Sequence, residues 1–228
     1  MNLSELAFTC HCYGCITNND EAYLQLLGAT NAMPDLSNLD HRRALLKWLN
    51  QWNCRQFALE YHDLAQNELL DWFNLNSEQL FPDTKNMWEF IEDDYRIIRN
   101  LFESLMDRTA SAQPRKRFGA IAAAKILFAI RPKSFISWDN AIRDSFNLDN
   151  SPDSYVLYIK KINSDILSTK TNLEHNGFTL EDLPAILHRP NSSIPKIMDE
   201  YYWMTITRNW SIPDNETFRN WAQWINLI

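Results

Sequence analysis

A chain of 228 residues, 45% of them apolar, is long enough for one large hydrophobic core or two small lobes. Only 4 glycines argue against a turn-rich all-β fold, and no run of eighteen apolar residues offers a transmembrane helix. A net charge of −7 argues against nucleic-acid binding by the surface as a whole.

The first residues, MNLSELAFTCHC, have neither a basic start nor an apolar run, so no signal peptide is expected and the chain reads as cytoplasmic. Residues 1–20 read as a poorly patterned arm ending in Asn18-Asn19-Asp20, a good helix start. A short helix is expected over 21–29, then a loop around Pro34, then an amphipathic helix over 39–53 with Leu45, Leu46, Leu49 and Trp52 at helical spacing. Arg42, Arg43 and Lys47 fall on its other faces as solvated charges or phosphate contacts. Residues 56–74 read as one or two helices, with a further turn over 77–81. The strongest helical stripe covers 85–106, where Trp88, Ile91, Tyr95, Ile98, Phe102 and Leu105 recur every three or four residues. Residues 109–114 read as a polar loop.

A compact apolar helix is then expected over 120–130, interrupted only by Lys125 and stopped by Arg131-Pro132. Asp139 stands where the next helix should begin, in the position of an N-cap. Further helices are expected over 154–174, 179–190 and 193–206, and a last one from Asp214 or Asn215 carrying Phe218, Trp221, Trp224 and Ile225. The segment 199–203, Asp-Glu-Tyr-Tyr-Trp, reads as helix surface and core before pocket. No strand pattern competes, so the fold class is all-α, with nine or ten helices.

Charge is unevenly spread. Between Arg115 and Arg143, seven basic residues stand against one acid, a local +6 that leaves −13 on the rest of the chain. One basic face on an acidic body suits a protein that grips a polyanion at one place. The four cysteines, Cys10, Cys12, Cys15 and Cys54, with His11 among the first three, match no metal-ligand spacing, so no metal and no cofactor are expected.

Residues 113–146 carry the functional signal. Pro114, Gly119, the small residue Ala123, Phe135 four residues before Asp139, and Ile142-Arg143 after it resemble the helix-hairpin-helix superfamily of DNA glycosylases, whose Asp follows the last hairpin glycine by roughly twenty residues. The hairpin is degenerate, with Arg117 where the first glycine of the family stands. The resemblance implies one helical enzyme unit of two lobes over 1–228, monomeric, with DNA bound between the lobes. It gives Asp139 the role of stabilising an oxocarbenium-like sugar or activating water. A plain N-cap is the competing reading of Asp139.

Gly119 with Arg115, Lys116 and Arg117 would hold phosphates. The family's lyases place a Schiff-base lysine two residues after the glycine, where this chain has Ile121, so a monofunctional enzyme is implied. Lys125 either lines the pocket or extends its ammonium to water. Trp138 and Asn140 would touch the flipped nucleotide or brace Asp139, and core packing is the alternative for Trp138. The excised base is left open. The altered hairpin points to an unusual lesion or a bulky modified base of viral DNA, which would make this a defence enzyme. A non-catalytic helix-hairpin-helix DNA-binding protein is the alternative.

Overall fold

The computed structural model describes residues 2–214, 216–218 and 220 and is mostly helical. The helix start expected at Asp214 or Asn215 is only partly within the described residues, and Trp221, Trp224 and Ile225 lie outside them. No helix among the described residues is long and apolar enough to cross a membrane.

The first departure from the sequence pattern is at the start. Residues 1–20 are not an arm: α1 spans Leu3–Ile16. The side chain of Asn2 accepts from the backbone of Glu5 while the Glu5 side chain accepts from the backbone of Asn2, and this reciprocal cap starts the helix. Its buried face, Leu6, Cys10 and Tyr13, carries only one aliphatic side chain, which is why it is faint in a hydropathy pattern. Helix α2 spans Asn19–Ala29 and α3 spans Leu39–Gln51, the latter capped by Asn38. Arg42 is buried rather than solvated, and its guanidinium donates to the carbonyls of Leu36 and Ser37.

Helix α4 spans His62–Asn76. The long stripe over 85–106 is broken: a 3₁₀ turn occupies Met87–Glu89, Phe90 and Ile91 are extended, and α5 spans Glu92–Met106. Three acids in the first turn of α5 suit the positive end of its dipole. Ile91, expected in the core, is 64% exposed because the chain leaves the helical path there. The expected polar loop at 109–114 is also replaced. Strands β1, Thr109–Ala112, and β2, Arg115–Arg117, pair antiparallel as a short ribbon between α5 and α6, Gly119–Ile130.

Helix α6 is the centre of the molecule. Nearly every residue in it is buried, and its run of alanines lets α5 and α3 approach closely on two sides. Helix α7 spans Asn140–Ser145, α8 Pro152–Glu174, α9 Leu183–Ile186 and α10 Ile194–Tyr202. A π-helical turn, Trp203–Thr207, continues α10. Helix α8 packs on α5, and α10 packs on α1 and α8. The buried apolar side chains from Leu6 to Tyr202 form one continuous cluster.

Candidate active site

Asp139 sits at the end of an extended segment held rigidly in the core. Tyr155 and Tyr158 of α8 donate their hydroxyls to the carbonyls of Ile136 and Ser137 at 2.8 Å and 3.3 Å. The indole of Trp138 donates to the carbonyl of Ala120 on α6. Its ring packs against Phe102, Tyr155 and Tyr158. Trp138 is only 1% exposed, so its ring is a core brace for the residue that follows, not a platform for a base.

The carboxylate of Asp139 is oriented by two donors. The Ile142 N–H donates to Oδ1 at 2.8 Å, which is the N-cap bond of α7 expected from the sequence. The Thr207 hydroxyl donates to Oδ2 at 2.7 Å. This second bond ties the carboxylate to the π-helical turn. Such turns insert an extra residue into a helix and recur at functional sites.

A cavity of about 390 Å³ opens beside Asp139, within the range of small-molecule pockets. Its aromatic wall is Tyr13 from α1, Trp52 after α3 and Trp203 from the π turn. Its polar groups are Asp139, Asp199, Ser137 and Lys125, with Asn53, Asn140 and Arg208 also lining it. The Arg208 guanidinium lies 4.7 Å from the centre of the Trp203 ring, and Arg208 is itself exposed, so it marks the mouth. Asn140 is exposed as well, and its side-chain oxygen accepts from Arg143.

Asp199 is 7% exposed and accepts from the Ser137 hydroxyl at 2.7 Å. Burial pushes its carboxyl up to about 6; the positive charge of Lys196 and the Ser137 hydrogen bond oppose that rise, while Asp139 and Glu200 add to it. Lys125 is 9% exposed and donates to the Trp52 carbonyl at 2.6 Å. Its ammonium also lies 5.7 Å from the Trp52 ring centre. Among the described residues it forms no ion pair, with Asp139 or any other carboxylate. A buried ammonium with one neutral acceptor and a cavity beside it keeps donors free for a ligand.

The structure therefore brings Asp139, Lys125, Trp138 and Asn140 to one cavity. The basic ribbon lies apart from its lining but leads into it, because β2 runs directly into α6, whose Ile121 and Lys125 line the cavity. Arg115, Lys116 and Arg117 are all exposed. Gly119, which opens α6, has φ +71°, a left-handed conformation that favours glycine, and no side chain caps the helix there.

The local +6 is smaller in space than in sequence. Arg117 pairs with Asp107 at 2.5 Å, Arg131 with Asp83 at 3.1 Å, and Arg143 with Asp144 at 2.6 Å. Lys125 is buried. Arg115, Lys116 and Lys133 are the exposed cations of the stretch without an ion pair among the described residues.

Sequence reasoning missed the contribution of α10 and its π turn. Asp199, Trp203 and Thr207 recur every four residues and all line the cavity, whereas the pattern of 199–203 suggested surface and core. Only that four-residue spacing of polar and aromatic side chains could have pointed to them. The cysteines do not converge. Cys10 is buried against the carbonyl of Ile197, Cys54 is buried elsewhere, and Cys15 lies beside His11. Among the described residues no three His, Cys, Asp or Glu side chains gather as a metal site.

No protein-family model matches the chain, and neither the curated proteins nor the solved structures contain a match.

Proposed function

We propose that this protein is a monofunctional DNA glycosylase, which hydrolyses the bond between a damaged or modified base and its deoxyribose and leaves an abasic site. The observation that carries this reading is the junction of a fixed carboxylate, Asp139, with an aromatic-walled cavity of about 390 Å³ at the foot of a helix that follows a basic ribbon.

Enzymes that act on a base in duplex DNA extrude it from the stack into a pocket. Trp52 and Trp203 offer the flat apolar walls that such a base needs, with the buried Tyr13 packed edge-on behind Trp203. As the glycosidic bond lengthens, positive charge develops on the sugar, and Asp139 at the cavity edge would stabilise it and take a proton from the attacking water. Its two hydrogen bonds keep the oxygens from turning away. Lys125 would use its remaining N–H donors on the bound nucleotide.

Arg115 and Lys116 would bind phosphates, aided by the uncapped N–H groups at the start of α6 around Gly119. Because Ile121 occupies the position of a lyase lysine, the product is a plain abasic site, not a Schiff base with the protein. A substrate with an unusually bulky base, such as the modified bases of viral DNA, would place the enzyme in defence.

The test is a panel of duplexes carrying damaged and hypermodified bases, scored for alkali-labile abasic sites with wild type and Asp139→Asn. Base release by wild type and its collapse in the variant, with DNA affinity retained, is the expected result. Binding without release from any duplex would leave a DNA-binding protein in which Asp139 is only a cap.

A further inference from the structure

The cavity contains a second carboxyl that the proposed reaction has not yet used. Asp199 enters from α10 and meets the Asp139 segment directly, through the Ser137 hydroxyl two residues before Asp139. It is more than nine-tenths buried, its Oδ1 accepts from the Ser137 hydroxyl, and its Oδ2 has no hydrogen-bond partner among the described residues. The titratable groups around it are Tyr13 from α1, Tyr158 from α8, Lys125 from α6 and Asp139, with Lys196 and Glu200 on its own helix. Of these, Lys196 is engaged by Glu200 at 2.8 Å and pairs with Asp20 at 3.5 Å rather than with Asp199.

Building on the glycosylase reading, we propose that Asp199 is the acid that protonates the departing base, and that the substrate is a neutral base presenting a lone pair to α10.

The chemistry follows from the leaving group. When the C1′–N bond breaks, its electron pair goes to the base. A neutral base therefore departs as an anion unless it receives a proton, whereas a cationic N-alkylated base departs neutral and needs none. With Ser137 donating to Oδ1, that oxygen is the acceptor end of a carboxylic acid and Oδ2 is free to hold the proton and donate it into the cavity. In the balanced step, the Oδ2 proton moves to a ring nitrogen or carbonyl oxygen of the base and Asp199 becomes a carboxylate. The oxygen of water bonds to C1′, and its proton passes to Asp139. Net, one water is split between the sugar and the base. A proton then returns from Asp139 to Asp199 through solvent, once the base has left.

Burial supports this division of labour, because it favours the neutral form of Asp199, and a base that displaces water from the cavity strengthens that preference. The arrangement of two carboxyl groups in one cavity, one held by donors and one held in the dry interior, separates the base from the acid.

The experiment compares wild type, Asp199→Asn and Asp139→Asn on duplexes carrying neutral bases (hypoxanthine, uracil and hypermodified pyrimidines) and the cationic 7-methylguanine, between pH 5 and pH 8. The same proteins are titrated with free adenine, followed by tryptophan fluorescence. Asp199→Asn keeps the shape of the side chain and removes a buried ionisable group, so it should fold. Expected for wild type is release of a neutral base that falls as pH rises through about 6.

In Asp199→Asn, neutral-base release should drop by about 10²-fold or more and lose that pH dependence. Adenine binding should tighten at low pH in wild type and be indifferent to pH in the variant. Neutral-base release with the wild-type rate and pH profile in Asp199→Asn overturns the assignment. So does preferential release of 7-methylguanine, or adenine binding that does not change with pH in wild type. Each of these three leaves the glycosylase reading intact as long as Asp139→Asn abolishes release. The converse pattern, normal release in Asp139→Asn, breaks that reading and with it this one.

Discussion

Helix α10 contributes to two charge systems that differ in how they are paired. On one side, Lys196 and Glu200 are fully buried and ion-paired through Glu200 Oε1, while Oε2 is buried without a hydrogen-bond partner among the described residues. Lys196 pairs with Glu200 at 2.8 Å and sits 4.3 Å from the Tyr13 ring centre. Arg189 pairs with Glu200 at 2.6 Å and with Asp20. On the other side, Asp199, Asp139 and Lys125 share a cavity in which no ion pair joins the lysine to either acid among the described residues. Asp199 and Glu200 are neighbours in sequence and chemically alike, yet one has two cations and the other a single hydroxyl as its nearest donor. Desolvated charges that are paired fix a structure. Asp199, desolvated and facing a cavity without a cation partner of its own, has its carboxyl raised and hydrogen-bonding capacity left over, which is what a reaction uses.

The largest test of this contrast is on the reactive side. Asp139→Asn keeps a side-chain oxygen for the Ile142 N–H, so the helix start should survive with little change in melting temperature. Base release should fall by about 10²–10⁴-fold, the usual weight of a positioned acid–base group. Equal loss of stability and activity would make Asp139 a structural residue like Glu200.

On the compensated side the outcome should invert. Glu200→Gln removes the carboxylate shared by Lys196 and Arg189 and leaves the fully buried Lys196 and the part-buried Arg189 with Asp20 alone. Unfolding by denaturant should show a loss of about 3–5 kcal/mol, as when one partner of a buried pair is removed. Base release per folded molecule should be nearly unchanged. A stable variant with altered chemistry would erase the distinction.

Asp199 should cost stability in a pH-dependent manner. Its folded-state value of about 6 stands above the ordinary 3.8, so its contribution is fully present below about 3.8 and is lost as pH rises through about 6. The span is on the order of 2–3 kcal/mol. Relative to wild type, Asp199→Asn should therefore gain stability between pH 4 and pH 7, read from paired denaturation curves. Carboxylates held low by local hydrogen bonds, such as Asp35 and Asp182, have the opposite sign and cancel in that difference.

The smallest effect belongs to the ribbon. Arg115→Gln and Lys116→Gln should each make the salt dependence of DNA affinity shallower by about one unit of log–log slope. Arg117→Gln should do less, because Asp107 already pairs with it. Equal slopes for all three would mean that the Arg117 pair opens on binding.

Much of the helical pattern was legible in the sequence. Leu45, Leu46 and Leu49 lie on the buried face of α3, and Ile98, Phe102 and Leu105 on that of α5, because burial against a core imposes a 3.6-residue period on the chain itself. The N-cap role of Asp139 was readable for the same reason: a cap acts on N–H groups three residues away. Helix α1 was not, since its cap is local but its buried face depends on Cys10 and Tyr13 finding a partner in α10 and the π turn. The 109–117 ribbon was missed because its four-residue and three-residue strands are too short to show alternation.

Charges were the least legible feature. Arg42 looked solvated and is buried on two carbonyls, and Arg117 and Arg131 looked free and are paired with acids outside the basic stretch. The sequence alone placed Lys125 in an apolar helix and Asp139 at a helix start. Tertiary structure alone set the two beside one cavity, added Asp199 and Thr207 from residues far along the chain, and divided Asp199 from Glu200. The physical reason is range. Propensity, capping and periodicity act within a turn or two of the backbone, whereas the desolvation and pairing of a charge depend on groups the fold brings in from distant positions.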